Sequence, residues 1–138
     1  EMSASLVGSE MCIRDSNKKG RAIAGLSMGG YHSMHISKQY PDMFDYVGLF
    51  SGTASRNDKS TCPVYTDFEG KLKTQFAKKP ALYFIACGNR DFVFKSVTDF
   101  RKLLDDNGCK YEYLETGEGH IWRNWRIYLT EFAPKLFK

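Results

Sequence analysis

Six consecutive residues constrain this chain more than any other feature: Gly25-Leu26-Ser27-Met28-Gly29-Gly30. They stand between a short apolar stretch, RAIAGL (Arg21 to Leu26), and a segment from Met28 to Tyr40 that reads as a helix. The helix is expected to stop before Pro41, because a proline disfavours the helical region in the residue preceding it. A strand that feeds a helix through glycines implies a sharp turn. Glycines on both sides of Ser27 are expected where neighbouring chains crowd the turn and leave no room for a Cβ. Such a turn is the G-x-S-x-G elbow: it lifts the serine hydroxyl above the sheet edge and aims the helix N-terminus and the Met28 amide at developing negative charge.

Downstream, apolar runs and helical patterns alternate. Tyr46 to Phe50 (YVGLF) and Ala81 to Cys87 (ALYFIAC) read as buried strands, and Tyr111 to Leu114 as another. Ser96 to Asn107 reads as a helix. Ser96-x-x-Asp99 is its candidate capping box, Val97, Phe100, Leu103 and Leu104 share one face, and Gly108 is the stop. Trp122 to Phe132 reads as a last helix with Trp122, Trp125, Leu129 and Phe132 on one stripe. Thr53 to Lys79 is polar and irregular, with a weakly helical Lys71 to Ala77. Strands separated by helices predict parallel βαβ units and a sheet covered on both faces. The predicted class is α/β.

Composition narrows the function. With 138 residues, 42% hydrophobic and 26% charged, the chain has the make-up of one globular domain, not of a disordered or fibrous protein. No apolar run approaches the roughly 18 to 20 residues of a membrane span. A formal charge of +4, spread thinly, gives no footprint for nucleic acid. Cys12, Cys62, Cys87 and Cys109 form no C-x-x-C pair and no metal-type spacing with the three histidines, so a zinc site is not expected.

A serine is a weak nucleophile and needs a base and an orienting acid, which follow it in that fold as acid and then histidine. His120, in Gly117-Glu118-Gly119-His120, lies between the last strand and the last helix and is the candidate base. His32 and His35 fall on the helix after the turn, with rings pointing away from Ser27, and read as packing or surface residues. Asp91, in Gly88-Asn89-Arg90-Asp91 directly after ALYFIAC, is the candidate acid. Asp99, Asp105 and Asp106 belong to the next helix, and Glu115 and Glu118 are too close in sequence to His120.

RAIAGLSMGGYHSMHI, IACGNRDF and GEGHIWRNWRIYLTEFAPKLF resemble the Putative esterase (esterase D-like) family of α/β-hydrolases, most of all its bacterial feruloyl and acetylxylan esterases. The resemblance runs from Arg21 to Phe137. It implies the C-terminal part of an α/β-hydrolase fold and a serine ester hydrolase working through an acyl-enzyme. Ser27 is then the nucleophile, Asp91 the acid, His120 the base and the Met28 amide an oxyanion donor. The implied substrates are small esters or esterified oligosaccharides of plant cell walls, with no metal or organic cofactor and a secreted or periplasmic location. A thioester (S-formylglutathione-type) or siderophore esterase of the same fold is the alternative enzyme. A non-catalytic carbohydrate-binding relative is the alternative outside enzymes. Trp122, Arg56, Asn57 and Tyr65 are the candidate substrate contacts, the first close to the base and the others in the polar segment at the catalytic edge.

The family has several strands before the elbow, and a loop among them supplies a second oxyanion donor. Here LVGSEMCIRDS (Leu6 to Ser16) instead resembles a reading frame through a sequencing-library adaptor. Residues 1–16 are therefore expected to be a non-native leader, and 17–138 a partial hydrolase domain. Such a fragment is expected to leave one edge of its first strand open, to aggregate readily and to turn over poorly.

Overall fold

The computed structural model describes residues 17–53, 55–56 and 59–138. Four strands, β1 (Ala22–Leu26), β2 (Tyr46–Phe50), β3 (Leu82–Gly88) and β4 (Glu112–Thr116), alternate with four helices. These are α1 (Met28–Gln39), α2 (Phe68–Ala77), α3 (Phe94–Asp106) and α4 (Trp122–Phe132). All strand pairings are parallel and the order is β1-β2-β3-β4, with Val47 opposite both Ile23 and Tyr83, and Ile85 opposite Tyr113. The class is α/β.

Successive crossovers of one hand, stepping in one direction across a sheet, must all lie on one face. The packing agrees. Met34 of α1, Phe68 and Leu72 of α2, and Val97, Phe100 and Leu104 of α3 pack with Val47, Leu49, Tyr83, Ile85 and Cys87. Among the described residues α4 is the one helix on the opposite face, where its Tyr128 and Phe132 cover Tyr46, Phe50, Leu82, Phe84 and Ala86. Every residue of β2 and β3 is buried, which is why both strands are apolar runs without alternation. β1 pairs only with β2 among the described residues. Beside it Ala24, Leu26, Phe50, Trp122, Trp125 and Leu129 line a groove of about 260 Å³.

Three expectations need correcting. α3 begins at Phe94, with Val93 as N-cap and no side-chain cap, so Ser96 and Asp99 form no capping box; Asp99 pairs with Lys95 instead. The buried face of α4 is Asn124, Tyr128 and Phe132, while Trp122 is 65% exposed and Leu129 also faces out. Asn124 and Tyr128 tolerate burial because their polar ends are satisfied, by the Gly119 carbonyl at 2.9 Å and the Thr116 hydroxyl at 2.7 Å. α2 extends one turn earlier than its weak signal, because Phe68 seats in the core.

No helix among the described residues is long and apolar enough to cross a membrane.

Candidate active site

Ser27 sits between β1 and α1 with φ 54° and ψ −120°, a positive-φ conformation that a residue with a Cβ adopts only under constraint. The constraint is visible. Its N–H donates to the Phe50 carbonyl at 2.8 Å, and its own carbonyl accepts from Gly30 and Tyr31 as α1 begins. A Cβ on Gly25 would overlap the Gly29 carbonyl group, and one on Gly30 would come within 2.9 Å of the Gly52 Cα. Gly29 differs from the expectation: among the described residues nothing lies within 4 Å of its Cβ position. Its backbone, not its missing side chain, is what Gly25 must admit.

Asp91 lies in the turn after β3. Its side chain is 0% exposed, and its Oδ1 accepts from the Val93 N–H at 3.0 Å, so the carboxylate is locked against the start of α3. His120 lies in the loop between β4 and α4. A Cβ on Gly88 would overlap the Glu118 carbonyl, so only glycine lets this loop come down on the end of β3. Asn124 holds the loop from below through Gly119. His120 Nδ1 is 2.9 and 3.0 Å from the two Asp91 oxygens, and Nε2 is 2.8 Å from Ser27 Oγ across 93 residues of sequence. A carboxylate only accepts, so it draws the ring proton to Nδ1 and leaves Nε2 to accept from the serine hydroxyl. Hydrogen bonds therefore run without a break from Asp91 through His120 to Ser27 Oγ.

Met28 opens α1, so its amide is one of the first-turn donors that have no partner within the helix. Met28, Tyr31, Thr53, Ser55, Phe92 and Val93 line a pocket of about 410 Å³ beside Ser27.

Of the candidate substrate contacts, Arg56, Tyr65 and Trp122 do not line that pocket. Arg56 pairs with Glu69 at 2.8 Å and lies beside Ser55, which lines the pocket. Tyr65 packs edge-on against His35 at 4.8 Å, and its ring lies 6.1 Å from that of Tyr31, which lines the pocket. Trp122 touches Trp125, which in turn meets the His120 ring edge-on at 5.1 Å. Asn57 lies outside the described residues. His35 is buried under Tyr31, Tyr65 and Phe68, and burial, reinforced by the charge of Lys38, lowers its pKa to about 4. His32 is exposed. Two residues had no sequence signal. Phe92 is 79% exposed with its ring 4.6 Å from that of His120, and Asn124 supports the histidine loop. An aromatic in a polar turn and an asparagine on an apolar helix face both escape periodicity.

No group of three or more His, Cys, Asp or Glu among the described residues is placed to hold a metal ion. Cys62, Cys87 and Cys109 are free thiols.

Residues 13–136 match the family described as "Putative esterase". The chain belongs to the Putative esterase family. It is 33% identical over 130 residues to an endo-1,4-β-xylanase/feruloyl esterase of Xylanibacter ruminicola, covering 91% of this chain and 15% of that protein. It is 26% identical over 137 residues to an acetyl esterase of Caldicellulosiruptor saccharolyticus, covering 78% of this chain and 50% of that one. The chain thus spans half or less of the length of these two relatives. Among solved structures, a CE1 ferulic acid esterase of Anaeromyces mucronatus in complex with ferulic acid has the same fold. The TM-score is 0.68 at 19% identity, over 96% of this chain and 53% of that one. The α/β class read from strand and helix order is therefore that of the esterase family.

Proposed function

We propose that this chain carries the catalytic triad of a serine carboxylic-ester hydrolase acting on feruloyl or acetyl esters of plant cell-wall polysaccharide. The observation that supports it most is the continuous line of hydrogen bonds from Asp91 through His120 to Ser27, on a strained turn at a helix N-terminus. In the proposed reaction, Ser27 Oγ attacks the ester carbonyl carbon while His120 Nε2 takes its proton. Asp91 keeps the imidazole oriented and stabilises its cation. The Met28 amide donates to the carbonyl oxygen as it becomes negative. The tetrahedral intermediate collapses, His120 returns the proton to the leaving alcohol oxygen, and an acyl-serine remains. Water, deprotonated by the same histidine, releases the acid.

The substrate class rests on two supports. Relatives named feruloyl esterase and acetyl esterase match most of the chain. The pocket beside Ser27 falls in the roughly 300 to 1,000 Å³ range of small-molecule sites and offers Met28, Tyr31 and Val93 to an acyl group.

Incubation with a fluorophosphonate probe, followed by peptide mass spectrometry, tests the mechanism. A phosphonate on Ser27, absent from Ser27→Ala, is the expected result. A silent Ser27, or label retained by Ser27→Ala, refutes it. Methyl ferulate and acetylated xylan, assayed side by side, then separate the two acyl groups.

A further inference from the structure

The pocket at Ser27 does not end at Phe92. Beyond that ring a second cleft of about 480 Å³ opens between the Ser55–Arg56 segment, the start of α2 and the outer side of α3. Ser55 and Phe92 line both spaces, so the two are continuous. The floor of the second cleft is aromatic, Phe68 and Phe100, with ring centroids 6.4 Å apart. Arg56, Lys95 and Asp99 form its polar rim, Arg56 being paired with Glu69 and Lys95 with Asp99, each at 2.8 Å. The Arg56 guanidinium also lies over the Phe68 ring, 5.3 Å from its centroid. The chemistry at Ser27 uses none of these groups.

Each feature selects against a class of ligand. An ion would have to break one of the two pairs, because both cations already hold carboxylates. A hydrocarbon would strip water from the Arg56, Lys95 and Asp99 side chains without replacing the hydrogen bonds. A neutral ring with hydroxyls on its edge and C–H groups on its face satisfies both the rim and the floor. That is the chemistry of a sugar.

The histidine decides which half of an ester lies there. The leaving oxygen must come within reach of His120 Nε2 to collect its proton. Phe92 covers one side of that imidazole, its ring tilted 48° and its outer face bare. A group attached to the leaving oxygen therefore passes over Phe92, toward the second cleft. We propose that this cleft is the saccharide subsite of the enzyme. Phe92 is the platform for the sugar that bears the ester, and the Lys95–Asp99 and Arg56–Glu69 pairs bind the hydroxyls of its neighbour. This assignment rests on the reading of Ser27 as an esterase nucleophile, and it names where the alcohol half sits.

The test separates the two. Binding of unesterified arabinoxylotetraose to the Ser27→Ala protein is followed by titration calorimetry, with no turnover needed. The same titration is repeated with Lys95→Ala/Asp99→Ala and with Phe92→Ala added. Lys95 and Asp99 are exposed on α3, so the double variant keeps the fold, which the melting temperature checks. Hydrogen bonds to charged groups of this kind are each worth about a tenfold change in affinity or more, so saccharide binding is expected to weaken at least that much in the double variant. It should weaken again in Phe92→Ala. No saccharide binding, or equal binding by all proteins, overturns the assignment. Hydrolysis of methyl ferulate by the unsubstituted protein is scored separately: turnover without saccharide binding removes the subsite and leaves the esterase. Saccharide binding without turnover of any ester keeps the subsite and removes the chemistry.

Discussion

Replacing Asp91 by asparagine tests the wiring of the site with almost no change of shape. Asp91 presents two acceptors to one ring nitrogen, at 2.9 and 3.0 Å, and Oδ1 also holds the Val93 N–H at 3.0 Å. The amide keeps one acceptor. Because the Val93 N–H claims it, the Nδ2 group is turned toward His120 and donates where the carboxylate accepted. The imidazole answers by moving its proton to Nε2, which then faces Ser27 Oγ at 2.8 Å with a hydrogen and no lone pair. The hydroxyl loses its base. A wrong tautomer of this kind costs about 10⁴ in turnover, or about 5.4 kcal/mol of transition-state stabilisation. The fold should lose only about 1 to 2 kcal/mol, since the Val93 bond survives. Turnover of p-nitrophenyl acetate, the rate of fluorophosphonate labelling and a thermal melt measure the three quantities. A well-folded Asp91→Asn protein that labels within about tenfold of the parent refutes the argument that Asp91 sets the tautomer.

Other outcomes follow from the packing. Gly25→Ala drives a Cβ into the Gly29 backbone and should cost at least about 1 to 3 kcal/mol, whereas Gly29→Ala meets open space and should change stability by less than about 1 kcal/mol; urea titrations of the two compare them directly. Phe132→Ala removes a ring that meets Phe50 and Phe84 at 5.5 Å each and seats on Gly48, for an expected loss of about 3 to 5 kcal/mol in the same assay. Burial and the Lys38 charge hold the His35 pKa at about 4, so between that value and 6.5 the unfolded chain binds the extra proton. Stability due to this group is therefore full above 6.5 and falls as pH drops toward 4, by about 3 kcal/mol in all. His35→Phe should flatten that part of the pH–stability curve relative to the parent, and identical slopes would show that His35 is not the group responsible.

The parts of this molecule that sequence reveals are those where one residue type has one physical use. Ser27 between glycines, at the junction of an apolar run and a helical pattern, admits few structures, and β2 and β3 are apolar throughout because both their faces are covered. Asp91 and His120 follow from their places after strands. The α4 stripe held only in part, for a different reason. Counting apolar residues selects Trp122, Trp125, Leu129 and Phe132; Phe132 is buried and Trp125 packs on the core, but the helix also buries Asn124 and Tyr128, whose amide and hydroxyl find partners that exist only once the histidine loop and β4 are in place. The α3 boundary failed similarly. Ser96 looks like a cap, but the chain turns earlier, at Asp91, whose carboxylate takes the Val93 amide. Phe92 carries no pattern at all, and only its position against the imidazole singles it out.

The strand order has a consequence for how the site comes into being. Each of β2 to β4 lies beside the strand made just before it, so this part of the sheet can grow by addition at one edge as the chain is synthesised, with α1, α2 and α3 closing each new unit on the same side. Among the described helices only α4 returns across the sheet to the opposite face. Its docking fixes Gly119 through Asn124 and so brings His120 to a serine whose turn was formed 93 residues earlier. On the proposed reading, a chain in which α4 has not docked holds Ser27 without its histidine partner. On that reading, covalent labelling of Ser27 is a timer for the docking of α4.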